Sequence, residues 1–393
     1  MKIAINATSA VAGGGVTYIK NLLTGLSKIN TAHQYIVLTT VAGREMFYFL
    51  HPRFTFLSFK IPSQSPLLRL FWEQTFLTLL LRRLKVDVLF SPANVAPLFS
   101  GIPNVTMIQN IEPFGNNVSV RRGHLSSIRL RLLKWLTILS IKKSRKVIFP
   151  SRNAYNVVEQ SGISLKHAEV VYHGIDRKVF YPLKNEETGS SLPPLRLPPE
   201  LLQKKYGLNK FILFVSNIQR YKNFLALLQA FALLKEKIDD RIQLVFAGGC
   251  HDAMYYQELL SLIAEQRLEN RVIFLGEVPY DHLPYLYAGC TLFVYPSTCE
   301  SFGMTVVEAM SCGAPILASN REPMPEICGD AAKYFEPTDP TAIAKALFAT
   351  MNDVTMLSTM RINSIKRSQL FPWENTASRV LEILEGVVKN KRQ

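Results

Sequence analysis

Several common chemistries are absent from this chain, and each absence narrows what it can be. Its 393 residues include five cysteines (Cys250, Cys290, Cys299, Cys312 and Cys328), an odd number with no Cys-x-x-Cys pair and no zinc-like Cys/His spacing. That argues against a disulfide scaffold and a zinc module, and points to a reducing compartment. No Asp-x-Asp occurs, so a carboxylate pair holding a divalent cation is not expected, nor is any other metal site. The start, MKIAINATSA, has one Lys before an apolar run broken by Asn6, Thr8 and Ser9, which reads as a strand and not as a secretory signal. Long hydrophobic runs are missing too. LLRLFWEQTFLTLLLRRLK (67–85) is interrupted by Arg69 and Glu73 and closes at Arg82, short of the roughly 20 apolar residues of a spanning helix. With no low-complexity tract, 48% apolar, 10% aromatic and 19% charged residues, the composition is globular.

Acidic residues are scarce in one half only. Residues 1–180 hold 7 Asp and Glu against 23 Lys and Arg, a net +16, whereas 181–393 hold 23 against 22. A field confined to one region steers it toward an anionic partner, either nucleic acid or an anionic membrane surface. Helix-turn-helix spacing, zinc ligands and an RNA-binding aromatic signature are all lacking, so nucleic acid is not expected. RRGHLSSIRLRLLKWLTILSIKKSRK (121–146) alternates basic residues with Leu, Ile and Trp135, a composition suited to a membrane interface. An ordinary surface helix with a solvated basic face is the alternative.

What is present is a twice-repeated alternation. KIAINAT (2–8), YIVLTT (35–40), VDVLFSP (86–92), NVTMIQN (104–110) and RKVIFPS (145–151) are short apolar runs separated by helical stretches. LKNEETGSSLPPLRLPPE (183–200), rich in Pro, Ser and acid, reads as a linker. Beyond it strands at 211–217, 242–249, 271–277, 291–297 and 314–319 alternate with helices at 223–237, 253–267, 282–290 and 305–313. Strand and helix in alternation predict parallel sheets with helices on both faces. The length exceeds one growing core. We therefore expect an α/β chain of two Rossmann-like doubly wound domains facing across a cleft: 1–180, a linker at 181–205, and 206–372. Ligands of such sheets bind at the carboxyl ends of the strands.

Three stretches could carry chemistry. Gly13–Gly15 precede a helix, where unpaired N–H groups and the dipole favour an anion. They are neither a Walker loop nor G-x-G-x-x-G, and a turn needing positive φ is the plain alternative. SNIQRYKN (216–223) sets Arg220 and Lys222 at a strand end, a fork and a point charge suited to a diphosphate, or else two solvated loop charges. CESFGMTVVEAM (299–310) holds Glu300 in a strand-to-helix turn and Glu308 about one turn into the helix. Carboxylates accept from vicinal hydroxyls, so Glu308 could grip a ribose and Glu300 a sugar, with the turn amides on a phosphate. Two salt-bridged structural acids are the alternative.

The conjunction decides. AGGGVTYIKNLLTGL, VVYHGIDRKVF, RYKN, VPYDHLPYLYAGCTLFVYPS, ESFGMTVVEAMSCGAPILAS and PEICGDAAKYFEPTDP resemble, over nearly the whole chain, the family-four (group 1) retaining glycosyltransferases of GT-B fold. The resemblance implies that Glu308 binds the donor ribose and Glu300 contacts the transferred sugar. It implies that Arg220 and Lys222 hold the diphosphate, with Ser216, Asn217 and the amides of Phe302, Gly303, Met304 and Thr305 lining the donor site. Gly14 and Gly15 would approach donor phosphates or acceptor, and a terminal helix at about 373–393 would return to the first domain. Two departures stand out. Gln109 and Asn110 occupy the place of a His-Asp pair that many members carry on the acceptor side, and Ser301 replaces a motif glycine.

The expected activity is transfer of a hexose, mannose or similar, from a nucleotide-diphosphate sugar to a lipid-linked or polysaccharide acceptor, with no cofactor. Bacterial lipopolysaccharide, O-antigen or exopolysaccharide synthesis is the setting implied, peripheral on the cytoplasmic face of an anionic inner membrane. A retaining glycoside phosphorylase is disfavoured because no pyridoxal-phosphate lysine motif is evident. The alternative is a membrane-associated protein with a degenerate nucleotide-sugar site.

Overall fold

The computed structural model describes residues 1–10, 13–47, 51–61, 65–115, 124–182 and 200–392. They divide into two compact units, the first built from the described residues of 1–117, 121–174 and 371–393, the second from those of 175–370.

The first unit holds β1 (Lys2–Asn6), β2 (Gln34–Thr40), β3 (Phe54–Phe59), β4 (Val88–Ser91), β5 (Asn104–Met107), β6 (Lys146–Phe149) and β7 (Ala168–Val170). All pair in parallel, in the order β3-β2-β1-β4-β5-β6-β7. The central strands are short and almost wholly buried because helices cover both faces. Leu77 and Leu81 of the helix Phe76–Arg83 pack with Ala4, Leu38 and Leu89 of the sheet, and Trp72 of the preceding helix Pro66–Gln74 packs against the same cluster. The helices Gly13–Lys28 and Trp373–Arg392 approach so closely that a Cβ on Gly25 would lie 2.5 Å from that of Ala377. Lys28 and His33 pair with Glu374 and Glu385 at 2.7 and 2.8 Å.

The second unit holds β8 (Lys210–Val215), β9 (Ile242–Ala247), β10 (Val272–Gly276), β11 (Leu292–Tyr295), β12 (Ile316–Ser319) and β13 (Ala332–Phe335), all parallel in the order β10-β9-β8-β11-β12-β13. Two doubly wound parallel sheets with this strand order are the GT-B form of the α/β class.

Two expectations about boundaries need correction. Residues 175–180, read from sequence with the first domain, pack with the second unit: the Phe180 carbonyl accepts from Ser311 Oγ at 2.8 Å and its ring meets Tyr280 edge-on at 5.1 Å. Of the proposed linker, residues 183–199 lie outside the described residues, while Glu200–Tyr206 is a helix of the second unit with Leu202 buried.

Candidate active site

In the second unit the chemistry gathers at the carboxyl ends of β8 and β11, adjacent strands paired through Ile212 with Leu292 and Leu213 with Phe293. After β8 the chain passes Ser216 and Asn217, whose Oδ1 accepts from Gly249 N at 3.1 Å, and makes a single helical turn at Arg220–Lys222. Asn223, at φ +64°, ends that turn and opens the helix Phe224–Leu234. Its Nδ2 donates to the carbonyls of Pro296 (3.2 Å) and Pro337 (2.7 Å), which ties the turn to the ends of β11 and β13. Thr298 N adds a bond to Tyr221 O at 2.9 Å.

That scaffold brings Lys222 onto Glu300. Nζ donates to Glu300 Oε1 at 2.6 Å, with side chains only 14% and 11% exposed. The buried hydroxyl of Tyr295 donates to the same oxygen at 2.8 Å, and the ammonium lies 5.8 Å from its ring centre. Burial first, then the negative Glu300, pushes the Tyr295 pKa well up, so its hydroxyl stays a donor. Both donors converge on Oε1, and an ionised carboxylate carries acceptor positions on two oxygens. Lys222 likewise has three N–H donors, of which Glu300 takes one.

Glu308 sits in the helix Met304–Ser311, 4% exposed, and accepts from Tyr287 Oη at 2.9 Å. Burial raises its pKa to about 7 against the lowering pull of that hydrogen bond. Gly303 caps this helix at φ +95°, and a Cβ there would come within 2.6 Å of Met324 Cε, so both conformation and space call for glycine. The backbone of Phe302, Gly303, Met304 and Thr305 thus begins a helix, where amides lack intrahelical acceptors.

Arg220 goes elsewhere. Its Nη1 donates to Glu258 at 2.8 Å, its Nε lies 3.6 Å from Asp252, and the guanidinium stacks 4.8 Å from the Tyr255 ring. Lys222, Glu300 and Tyr295 form one cluster; Arg220 belongs to a neighbouring one.

The other candidates lie in the first unit. Gly14 and Gly15 form the first turn of Gly13–Lys28. Beneath the end of β1, Thr8 Oγ1 lies 2.5 Å from Glu73 Oε1 and 2.6 Å from Asn6 Oδ1, and burial raises the Glu73 pKa. Gln109 and Asn110 follow β5 and are clamped by Asn94, whose Oδ1 accepts from both amides (3.1 and 2.8 Å) while its Nδ2 donates to Asn110 O at 2.6 Å. Gln109 Nε2 donates to Pro92 O at 2.9 Å.

Sequence reasoning missed Tyr295, Tyr287, Asn223 and Asn94, whose partners are distant or, for Tyr295, set by a turn. Glu73 alone carried a signal, a carboxylate between Trp72 and Gln74 in an otherwise apolar run.

Two parallel α/β units with such a site are those of a GT-B glycosyltransferase. The chain belongs to the group 1 glycosyltransferases: the family model "Glycosyl transferases group 1" matches residues 201–367 and "Glycosyltransferase Family 4" matches 12–179. It is 32% identical over 190 residues to the O-antigen chain mannosyltransferase B of Escherichia coli, a match covering 48% of this chain and 49% of that protein. It is 27% identical over 331 residues to the N-acetylgalactosamine-N,N'-diacetylbacillosaminyl-diphospho-undecaprenol 4-alpha-N-acetylgalactosaminyltransferase of Campylobacter jejuni, covering 82% of this chain and 81% of that one. The matches span about half or less of the length of the Escherichia coli relatives. Among solved structures, Anabaena HepE in complex with UDP-glucose superposes with a TM-score of 0.77 at 20% identity, over 98% of this chain and 100% of that one.

Proposed function

We propose that the protein is a retaining, metal-independent glycosyltransferase that moves a hexose from a nucleotide-diphosphate sugar to a lipid-linked or polysaccharide acceptor in lipopolysaccharide or O-antigen synthesis. The observation that carries this is the Lys222–Glu300–Tyr295 cluster at the strand ends where such sheets bind ligands, followed in the chain by the helix that buries Glu308. The names of the Escherichia coli and Campylobacter jejuni relatives support the setting, and mannose is the sugar favoured by the first.

In this reading Glu308 accepts from the ribose hydroxyls and Glu300 from a hydroxyl of the sugar. Lys222 and the amides of Phe302–Thr305 stabilise charge on the departing diphosphate, with Arg220 beside them. The acceptor oxygen forms its bond to the anomeric carbon on the face from which the diphosphate oxygen leaves, and the acceptor proton passes to a phosphate oxygen. Gln109 and Asn110 serve the acceptor side, and Gly14 and Gly15 approach the donor phosphates or the acceptor. Charge develops on the leaving group, so cations there outweigh any base.

A thermal-shift screen against UDP, GDP, ADP and TDP tests the donor site. One nucleotide is expected to stabilise the protein selectively, and Glu308→Gln and Lys222→Ala are expected to weaken that response. Indifference to all four would refute the reading in favour of a degenerate site. Because the chain has no Asp-x-Asp, transfer is expected to be unchanged by EDTA; activity abolished by EDTA and restored by magnesium would contradict metal independence.

A further inference from the structure

The helices Pro66–Gln74 and Phe76–Arg83 of the first unit form one almost continuous rod. Thr75 bends it, yet Thr75 N still donates to Phe71 O (3.1 Å) and Leu79 N to Thr75 O (3.4 Å). One side of the rod is core, with Leu77 and Leu81 fully buried and Trp72, Leu80 and Leu84 packed around them. The opposite side is also apolar, and it is exposed: Leu68, Phe71, Phe76 and Leu79 are 54%, 62%, 59% and 56% accessible. Leu68, Phe71, Thr75, Leu79 and Arg82 step along one helical face by three or four residues, with Phe76 and Arg83 beside them.

The loop 92–103 extends this face. It carries Phe99, 68% exposed, and is fastened to the rod from two sides. Arg82 donates to the carbonyls of Phe99 (3.2 Å) and Ser100 (3.0 Å), while Gln74 donates to Ala96 O (3.0 Å) and accepts from Leu98 N (2.8 Å). Ser140 Oγ of the helix His124–Lys143 accepts from Ala96 N at 3.1 Å, so that helix, with Ile128 and Trp135 59% and 57% exposed, shares the platform. Single exposed apolar residues need no explanation, but a cluster on a rigid support marks an interaction surface.

Charge decides what covers it. Residues 66–115 and 124–146 hold 11 Lys and Arg against 3 Asp and Glu. Two of those acids are already engaged: Glu73 is buried on Thr8, and the half-buried Asp87 accepts from Lys2 N. A second copy of the chain would set these cations against themselves, since a two-fold interface repeats the same patch on both sides. An anionic bilayer offers an apolar interior under dense negative charge.

We propose that this face docks on an anionic membrane, with Leu68, Phe71, Phe76, Leu79 and Phe99 entering the headgroup–acyl boundary while Arg82, Arg83 and the basic residues of His124–Lys143 meet lipid phosphates. The proposal rests on the reading of a lipid-linked acceptor and shifts the contact from 121–146 alone to the rod and its loop.

Co-sedimentation of the full chain with vesicles of phosphatidylglycerol and phosphatidylcholine, against phosphatidylcholine alone, tests it. The wild type is expected to bind the anionic vesicles, less so as salt rises. The double variant Phe71→Ser, Phe76→Ser is expected to lose about tenfold or more in partition, and Arg83→Glu less, with a difference that high salt erases. Phe76→Trp emission is expected to shift to the blue on these vesicles. A wild type that ignores them, a double variant that binds equally well, or a wild-type dimer that the double variant dissolves would each overturn the proposal. Stabilisation by a nucleoside diphosphate is expected to survive in every variant, because each changes an exposed side chain of the first unit. A wild type that no nucleoside diphosphate stabilises would count against the donor-site reading and not against the docking face.

Discussion

At Glu308, removal from water and the single hydroxyl of Tyr287 act in opposite directions, and burial wins: the carboxyl pKa rises from an ordinary 4.5 to about 7. The sign of the consequence follows from which state binds the proton more tightly. The folded chain does, so this group's contribution is most favourable below pH 4.5 and is lost as pH climbs from 4.5 through 7. Between pH 5 and 8 the loss comes to about 2 kcal/mol. Denaturant unfolding at the two pH values is expected to show the wild type losing about that much relative to Glu308→Gln; parallel pH dependences would mean that Glu308 does not hold its proton. Glu300 and Glu308 themselves were legible because their spacing survives in one short stretch of chain. Tyr287 was not. Its value lies in a contact to a residue 21 positions away, and a buried tyrosine in HLPYLYAGC looks like core until its partner is placed. Arg220 illustrates the converse: its neighbour Lys222 reaches Glu300, yet its own guanidinium is taken by Asp252 and Glu258, two acids that no local pattern connects to it.

Elements were legible to the degree that both of their faces are buried. The inner strands β1, β4, β5 and β6 of the first sheet, and β8, β9, β11 and β12 of the second, are short and mostly buried, and the sequence marks each of them. The strands that escaped are β3, β7 and β13, and all three are sheet edges. Edge strands keep one side toward water, so Phe54–Phe59 mixes buried, half-buried and exposed positions, and Ala168–Val170 is half-buried throughout. The helical rod at 66–83 shows the same limit from the other direction. Its run of Leu and Phe was long enough to raise the question of a membrane span and too interrupted to be one. Sequence alone could not say that half of those side chains serve the core and half are left outside; only the placement of Leu77 and Leu81 on the sheet settles that division.

At the scale of the whole molecule the first unit is discontinuous, and its last segment arrives after the entire second unit has been made. Helix Trp373–Arg392 contributes the buried side chains of Trp373, Ala377, Val380, Leu381, Ile383, Leu384, Val387 and Val388. At about 1.5 kcal/mol or more for each of the larger ones, this burial is on the order of 10 kcal/mol, comparable with the roughly 5–15 kcal/mol that stabilises a typical domain. The helix also donates from Thr376 to Tyr172 O at 2.8 Å and pairs Arg379 with Glu169 of β7. A chain ending at Leu370 is therefore expected to lose the fold of its first unit while the second, whose sheet and core are its own, remains. Limited proteolysis read by mass spectrometry is expected to digest the described residues up to Gly174 and leave a resistant fragment that includes β8–β13. The nucleotide that stabilises the full chain is expected to protect that fragment, because Lys222, Glu300 and Glu308 all lie within it. If residues 1–174 resist the protease as well as they do in the full chain, the terminal helix is an accessory and the energetic argument fails. If the fragment of the second unit is digested too, the two units do not hold independent folds.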